Sequence, residues 1–113
     1  MKHISDYVFE TQCSAAVKNI RSEIEKRWPD GNVRVVQKKF KFYMNYDVYV
    51  YNAKDIDELK ELDNILKKHI PAYRGKNKDQ LEVKFKEIKD AASKKTPFSI
   101  PAIFIRFAST DFK

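Results

Sequence analysis

The chain reads as an α+β domain in the order α-β-β-α-α-β, a small, mainly antiparallel three-stranded sheet with helices packed on one face. Two observations predict this. Apolar residues recur at three- and four-residue steps up to residue 28, at steps of two between residues 32 and 52, and at helical steps again before a last run rich in Ile and Phe. With 113 residues and only two glycines, one compact core suits the chain better than a sandwich or barrel of many tight turns. Residues 1–113 are taken as a single domain. At this size folding buries roughly two-thirds of the surface of the unfolded chain, enough for a core without disulfide or metal.

Cys13, Ala16, Val17, Ile20, Ile24 and Trp28 form one apolar stripe with Lys18, Arg21, Glu25 and Lys26 between them, which is an amphipathic helix. Thr11 or Ser14 is its candidate cap, and Pro29-Asp30-Gly31 stops it. Val33 and Val35, Phe40 and Phe42, and Val48 and Val50 then alternate with polar or tyrosine positions. Two strands joined near Met44-Asn45 as a hairpin are expected, with a β-bulge where Val35-Val36 shifts the alternation. Asp55 and Glu58 suggest a capping box ahead of Ile56, Leu59, Leu62, Ile65 and Leu66. Lys67, Lys68 and His69 suit the negative end of that helix, and Pro71 ends it. Residues 79–90 fit a helix through Leu81, Phe85, Ile88 and Ala92, or a strand through Leu81, Val83 and Phe85. The lack of a turn before Ala91 favours a helix of about four turns. Ser99 to Phe107 is the last strand, with Pro101 confined to its start or an edge.

The net charge is +7, from 23 basic and 16 acidic residues. Two segments carry the excess: residues 31–52 hold four basic residues against one acidic, and residues 71–96 hold eight against four. Such a balance favours anionic partners, nucleic acid or an acidic protein face, or serves solubility alone. The single cysteine fits a reducing compartment. No apolar run is long enough for a signal peptide or a membrane span, so a cytoplasmic location in a bacterial host cell, without a membrane partner, is expected.

Catalytic constellations are missing from the sequence. His3 and His69 lie far apart, and no pair has metal-ligand spacing. Cys13 falls on an apolar stripe, which suits a core thiol better than a nucleophile. Asp55, Asp57, Glu58, Glu61 and Asp63 belong to a helix start and its solvated face. Gly31 and Gly75 stand alone, so no phosphate-binding loop is present. The expectation is a protein that is not an enzyme and takes no cofactor and no metal.

The candidate binding surface is the hairpin. With Phe40, Phe42, Val48 and Val50 toward the core, Lys39, Lys41, Tyr43, Tyr49 and Tyr51 share the other face. Aromatics interleaved with lysines stack bases and neutralise phosphates. Equally, such a face buries against a protein, or merely covers the sheet. A second cluster is Arg74, Lys76 and Lys78 after Pro71, and Lys84, Lys86, Lys89, Lys94 and Lys95 dot the third helix as a nonspecific basic face.

The run Ala16 to Pro29, with Ile20, Arg21 and Pro29 in a pattern of Ile-Arg before a closing Pro, resembles the opening helix of the large polyvalent protein associated domain of type 29. Ile24 and Trp28 stand where that family has Leu and Phe. Val33-Arg34-Val35 and Ile103 to Phe107 are similar in kind to its strands, whereas Lys41 to Asn45 replaces its glycine-rich hairpin. The resemblance implies a phage or mobile-element setting and carries over no site residue. The expected function is a small binding protein engaging a host protein or ribonucleoprotein, such as an inhibitor of a defence nuclease (anti-CRISPR-like). The alternative is an accessory protein that binds single-stranded nucleic acid directly.

Overall fold

The computed structural model describes residues 8–11, 14–94 and 101–109. The elements are β1 (Val8–Thr11), α1 (Ser14–Arg27), β2 (Val33–Lys39), β3 (Met44–Val50), α2 (Ile56–His69), α3 (Lys78–Ser93) and β4 (Ala102–Ser109). The expected α-β-β-α-α-β order and α+β class are present. One short strand is added: β1 pairs parallel to β4, giving the sheet order β1-β4-β3-β2. Four residues are too few to show a period of their own beside the helix that follows.

The expected caps and stops are mostly local and mostly met. Pro29 and Gly31, the latter at φ +83°, follow α1. The cap expected at Thr11 or Ser14 is not met: Thr11 closes β1 and Ser14 is already the first residue of α1; Cys13 lies outside the described residues. The Asp55 carboxylate accepts from the Glu58 amide (3.1 Å), while Glu58 reaches back one residue further than a capping box requires, to the Lys54 amide (2.6 Å). Residues 79–90 are helical. The deciding local signal is Asn77-Lys78-Asp79-Gln80, whose ends exchange side-chain and backbone hydrogen bonds (2.8 and 2.9 Å).

The core lies between the sheet and the three helices. Ile20, Ile24 and Trp28 of α1, Leu59, Leu62 and Leu66 of α2, and Leu81 and Ile88 of α3 meet Val33, Tyr46, Val48, Val50, Ile105 and Phe107 of the sheet. α1 and α2 run antiparallel: Arg27 bonds Glu61 (2.7 Å) at one end, and Glu23 takes Lys68 (2.8 Å) and His69 at the other. The buried Asp63 ties α2 to the segment before α3, accepting from the Tyr73 hydroxyl and the Lys76 amide (3.0 Å).

Four strand expectations are corrected. The chain reverses at Lys41-Phe42, not at Met44-Asn45, which belong to β3. Pairing Val33 with Val50 and Val35 with Val48 buries valine against valine, and this register centres the turn between residues 41 and 42. Phe40 and Phe42 are consequently exposed, at 42% and 73%, not part of the core. The bulge falls between β3 and β4, where Tyr49 pairs with Ile103 and Val48 with Ile105, leaving Phe104 as the extra residue and fully buried. The strand expected over residues 99–107 runs instead over Ala102–Ser109, with Pro101 just before it; Ser99 and Ile100 are outside the described residues.

Candidate functional site

The hairpin of β2 and β3 gathers most of the exposed aromatic surface. Five large hydrophobic side chains are exposed among the described residues, and four of them are hairpin aromatics: Phe40, Phe42, Tyr43 and Tyr51. Arg34, Lys38, Lys39 and Lys41, all exposed, lie between them. The reversal is tight, the Phe40 amide donating to the Tyr43 carbonyl (2.9 Å). Two-residue hairpin turns favour Asn-Gly or Asp-Gly, because their usual backbone needs positive φ. Here the apex is Lys41-Phe42, and among the described residues no non-glycine residue has positive φ. Turn chemistry does not demand that pair. Phe40 and Tyr43 stack on each other at 4.9 Å, and the Lys41 ammonium sits 5.3 Å from the Phe42 ring. The tip is therefore a braced aromatic knob with a cation on it.

The helices cover one sheet face, and the other carries a polar network. Alternation puts Arg34, Val36 and Lys38 of β2, Asp47 and Tyr49 of β3, and Arg106 of β4 on that side. Asp47 is fully buried at its centre. It accepts two hydrogen bonds from Arg106 (2.7 and 3.1 Å), one from the Tyr49 hydroxyl (3.0 Å), and an ion pair from Lys38 (3.2 Å). Burial alone would raise the Asp47 carboxyl, but the bonds from Arg106, Tyr49 and Lys38 outweigh it and hold it below the ordinary range. The Lys38 ammonium is held above its ordinary range by Tyr49 and then Asp47. Arg34 lies 5.5 Å from the Tyr51 ring.

The expected site residues thus divide. Tyr49 and Tyr51 do share the open face. Lys39 lies on the helix side of β2, beyond the core, while Lys41 and Tyr43 belong to the tip. Of the second cluster, Arg74 and Lys78 are exposed, but Lys76 is 8% exposed with its ammonium 4.8 Å from the Phe104 ring, so it is not a surface cation. Lys84 is likewise buried, donating to the Ile103 carbonyl (2.6 Å), and does not join a solvated lysine face. Lys95 and His3 are outside the described residues. His69 faces Glu23 of α1.

Arg34, Lys38, Asp47 and Arg106 were not singled out from the sequence. A register that pairs the valines would have found the first three, since it sets Val36 opposite Asp47 and Arg34 opposite Tyr49. Arg106 needs the position of β4, which no local signal supplies.

No helix among the described residues is long and apolar enough to cross a membrane, and no group of three or more His, Cys, Asp or Glu is placed to hold a metal ion. The fold and surface define a small α+β protein with a basic, aromatic hairpin projecting from an otherwise conventional core. No family model, curated protein or solved structure matches the chain.

Proposed function

We propose that this is a non-catalytic binding protein that docks its hairpin tip on an anionic face of a partner protein or ribonucleoprotein. The carrying observation is that three of the five exposed large hydrophobics, Phe40, Phe42 and Tyr43, stand together at the hairpin tip beside Lys39 and Lys41. Exposed apolar clusters with cations around them suit interfaces, where aromatics supply contact area at low entropic cost. Docking by the tip is favoured over a nucleic-acid strand laid across the sheet. On the sheet face Arg106 and Lys38 share the one Asp47 carboxylate, which leaves a single net positive charge among the three, and the Tyr49 hydroxyl is committed to Asp47. A mobile-element setting, with inhibition of a host defence nuclease as the outcome, rests on the sequence resemblance alone.

The test pairs two measurements. Anisotropy with a labelled single-stranded oligonucleotide, at low and moderate salt, reports phosphate binding, whose affinity falls steeply with salt. Affinity capture from a bacterial lysate, with and without nuclease, compares the native chain with Phe42→Ser. The expected result is weak oligonucleotide binding and a captured protein that Phe42→Ser loses. Tight, strongly salt-dependent oligonucleotide binding, with capture unaffected by Phe42→Ser, overturns the reading in favour of direct nucleic-acid binding.

A further inference from the structure

β2 is an edge strand, and its hydrogen-bonding direction can be read from the register. The Phe40 amide bonds the Tyr43 carbonyl and the Tyr51 amide bonds the Asn32 carbonyl. These two pairs bracket the β2–β3 ladder, in which partners sum to the same number. Hydrogen-bonded pairs alternate in an antiparallel ladder, so Arg34, Val36 and Lys38 direct their backbone groups toward β3. Val33, Val35, Gln37 and Lys39 direct theirs away from the sheet. Among the described residues nothing pairs with those four N–H and four C=O groups. β1, at the other edge, spans only four residues.

The surroundings of this edge are asymmetric. On the helix side, beneath Val33 and Val35, lies a shallow groove of about 320 Å³ lined by Ile24, Trp28, Val33 and Val35 together with the charged Arg21, Glu25 and Arg34. Lys38 stands on the open side with Arg34, whose guanidinium turns back to donate to the Gly31 carbonyl (3.1 Å), and Lys39 stands on the helix side at the strand's end; all three are exposed. An added strand would place its residues opposite Val33, Val35 and Gln37 on the groove side, and its alternate residues against Arg34 and Lys38.

We infer that β2 takes an extended acidic peptide segment of a partner protein as an added strand, apolar at one alternate set of positions and acidic at the other. Edge lysines also discourage unwanted pairing, and here that effect chooses the partner. The antiparallel register that overlaps all of β2 with a second copy of itself sets Arg34 opposite Lys38 twice, so like charges oppose self-pairing. An acidic strand meets the same cations with favourable charge. The edge and the tip are separate surfaces, so this inference stands or falls apart from tip docking.

The probe is a fluorescein-labelled peptide of about seven alternating valine and glutamate residues, compared with its valine-lysine counterpart. Binding to the valine-glutamate peptide is expected to be at least about tenfold tighter. Amide hydrogen exchange followed by NMR should then slow at Val33, Val35, Gln37 and Lys39, while Arg34, Val36 and Lys38, already bonded to β3, change little. Val35→Pro removes an outward-facing donor and no ladder bond, and should weaken binding about tenfold. Should Val35→Pro disturb the fold by circular dichroism, Arg34→Gln/Lys38→Gln takes its place, with a similar loss expected. Equal binding of both peptides, uniform or absent protection along β2, or the same alternating protection produced by raising protein concentration without peptide would overturn the inference.

Discussion

Replacing Asp47 by Ala removes the acceptor at the centre of the open sheet face. Deleting one partner of a fully buried ion pair costs about 3–5 kcal/mol, because the remaining charge is left dry. Here the remaining cations are not dry: the Arg106 and Lys38 side chains are 35% and 44% exposed. Both can rehydrate, so the expected loss is smaller, about 2–3 kcal/mol. The pH dependence gives the sharper check. Folding lowers the Asp47 carboxyl, and a lowered carboxyl contributes stability above its unfolded value, about 3.9, that is lost as pH falls through its folded value. The Asp47→Ala deficit is therefore complete at neutral pH and shrinks below about pH 4. Urea unfolding followed by fluorescence of Trp28, the only tryptophan and 3% exposed, measures both. A deficit below about 0.5 kcal/mol at neutral pH, the size of an ordinary surface pair, refutes the assignment. So does a deficit that is the same at about pH 3 as at neutral pH.

Other perturbations address the loop after α2 and the tip. Tyr73→Phe deletes the hydroxyl donor to the buried Asp63 carboxylate and should cost about 1–3 kcal/mol, read by the same urea titration. Gly75→Ala forces a side chain onto a φ of +86° and sets its Cβ 2.8 Å from Lys67 Cδ and 2.9 Å from Asp63 Oδ2. A loss of about 1–3 kcal/mol is expected in thermal unfolding, and an unchanged midpoint would mean that the loop has another conformation open to it. Phe42→Ser, at 73% exposure, should leave stability within about 0.5 kcal/mol of the native chain while removing partner capture.

How much of this was legible before any coordinates depends on the range over which each choice is made. Helix α2 was readable because its cap at Asp55, its apolar spacing and its stop at Pro71 lie within one stretch of chain. The segment 79–90 was ambiguous only because Val83 and Phe85 satisfy both periods, and the Asn77–Gln80 box resolves it locally. The hairpin was readable as a hairpin but not as a particular register. A one-residue slip in a strand exchanges its two faces, and shifting the turn from residues 44–45 to 41–42 moved Phe40 and Phe42 from the core to the tip. The candidate residues were therefore drawn from the right segment but not from one face.

What the sequence determined by itself is the α+β order, the segments that become helices, and the concentration of cations and aromatics between residues 34 and 51. Those are local properties, set by side-chain period, capping residues and composition. Only the tertiary structure decided that Lys76 and Lys84 turn inward to Phe104 and the Ile103 carbonyl, that Val8–Thr11 joins β4, and that Asp47 binds Arg106 fifty-nine residues away. Each depends on which distant segments lie side by side. The same is true of the free edge of β2, which exists because β4 takes the place beside β3 and leaves the backbone groups of Val33, Val35, Gln37 and Lys39 without a neighbouring strand among the described residues.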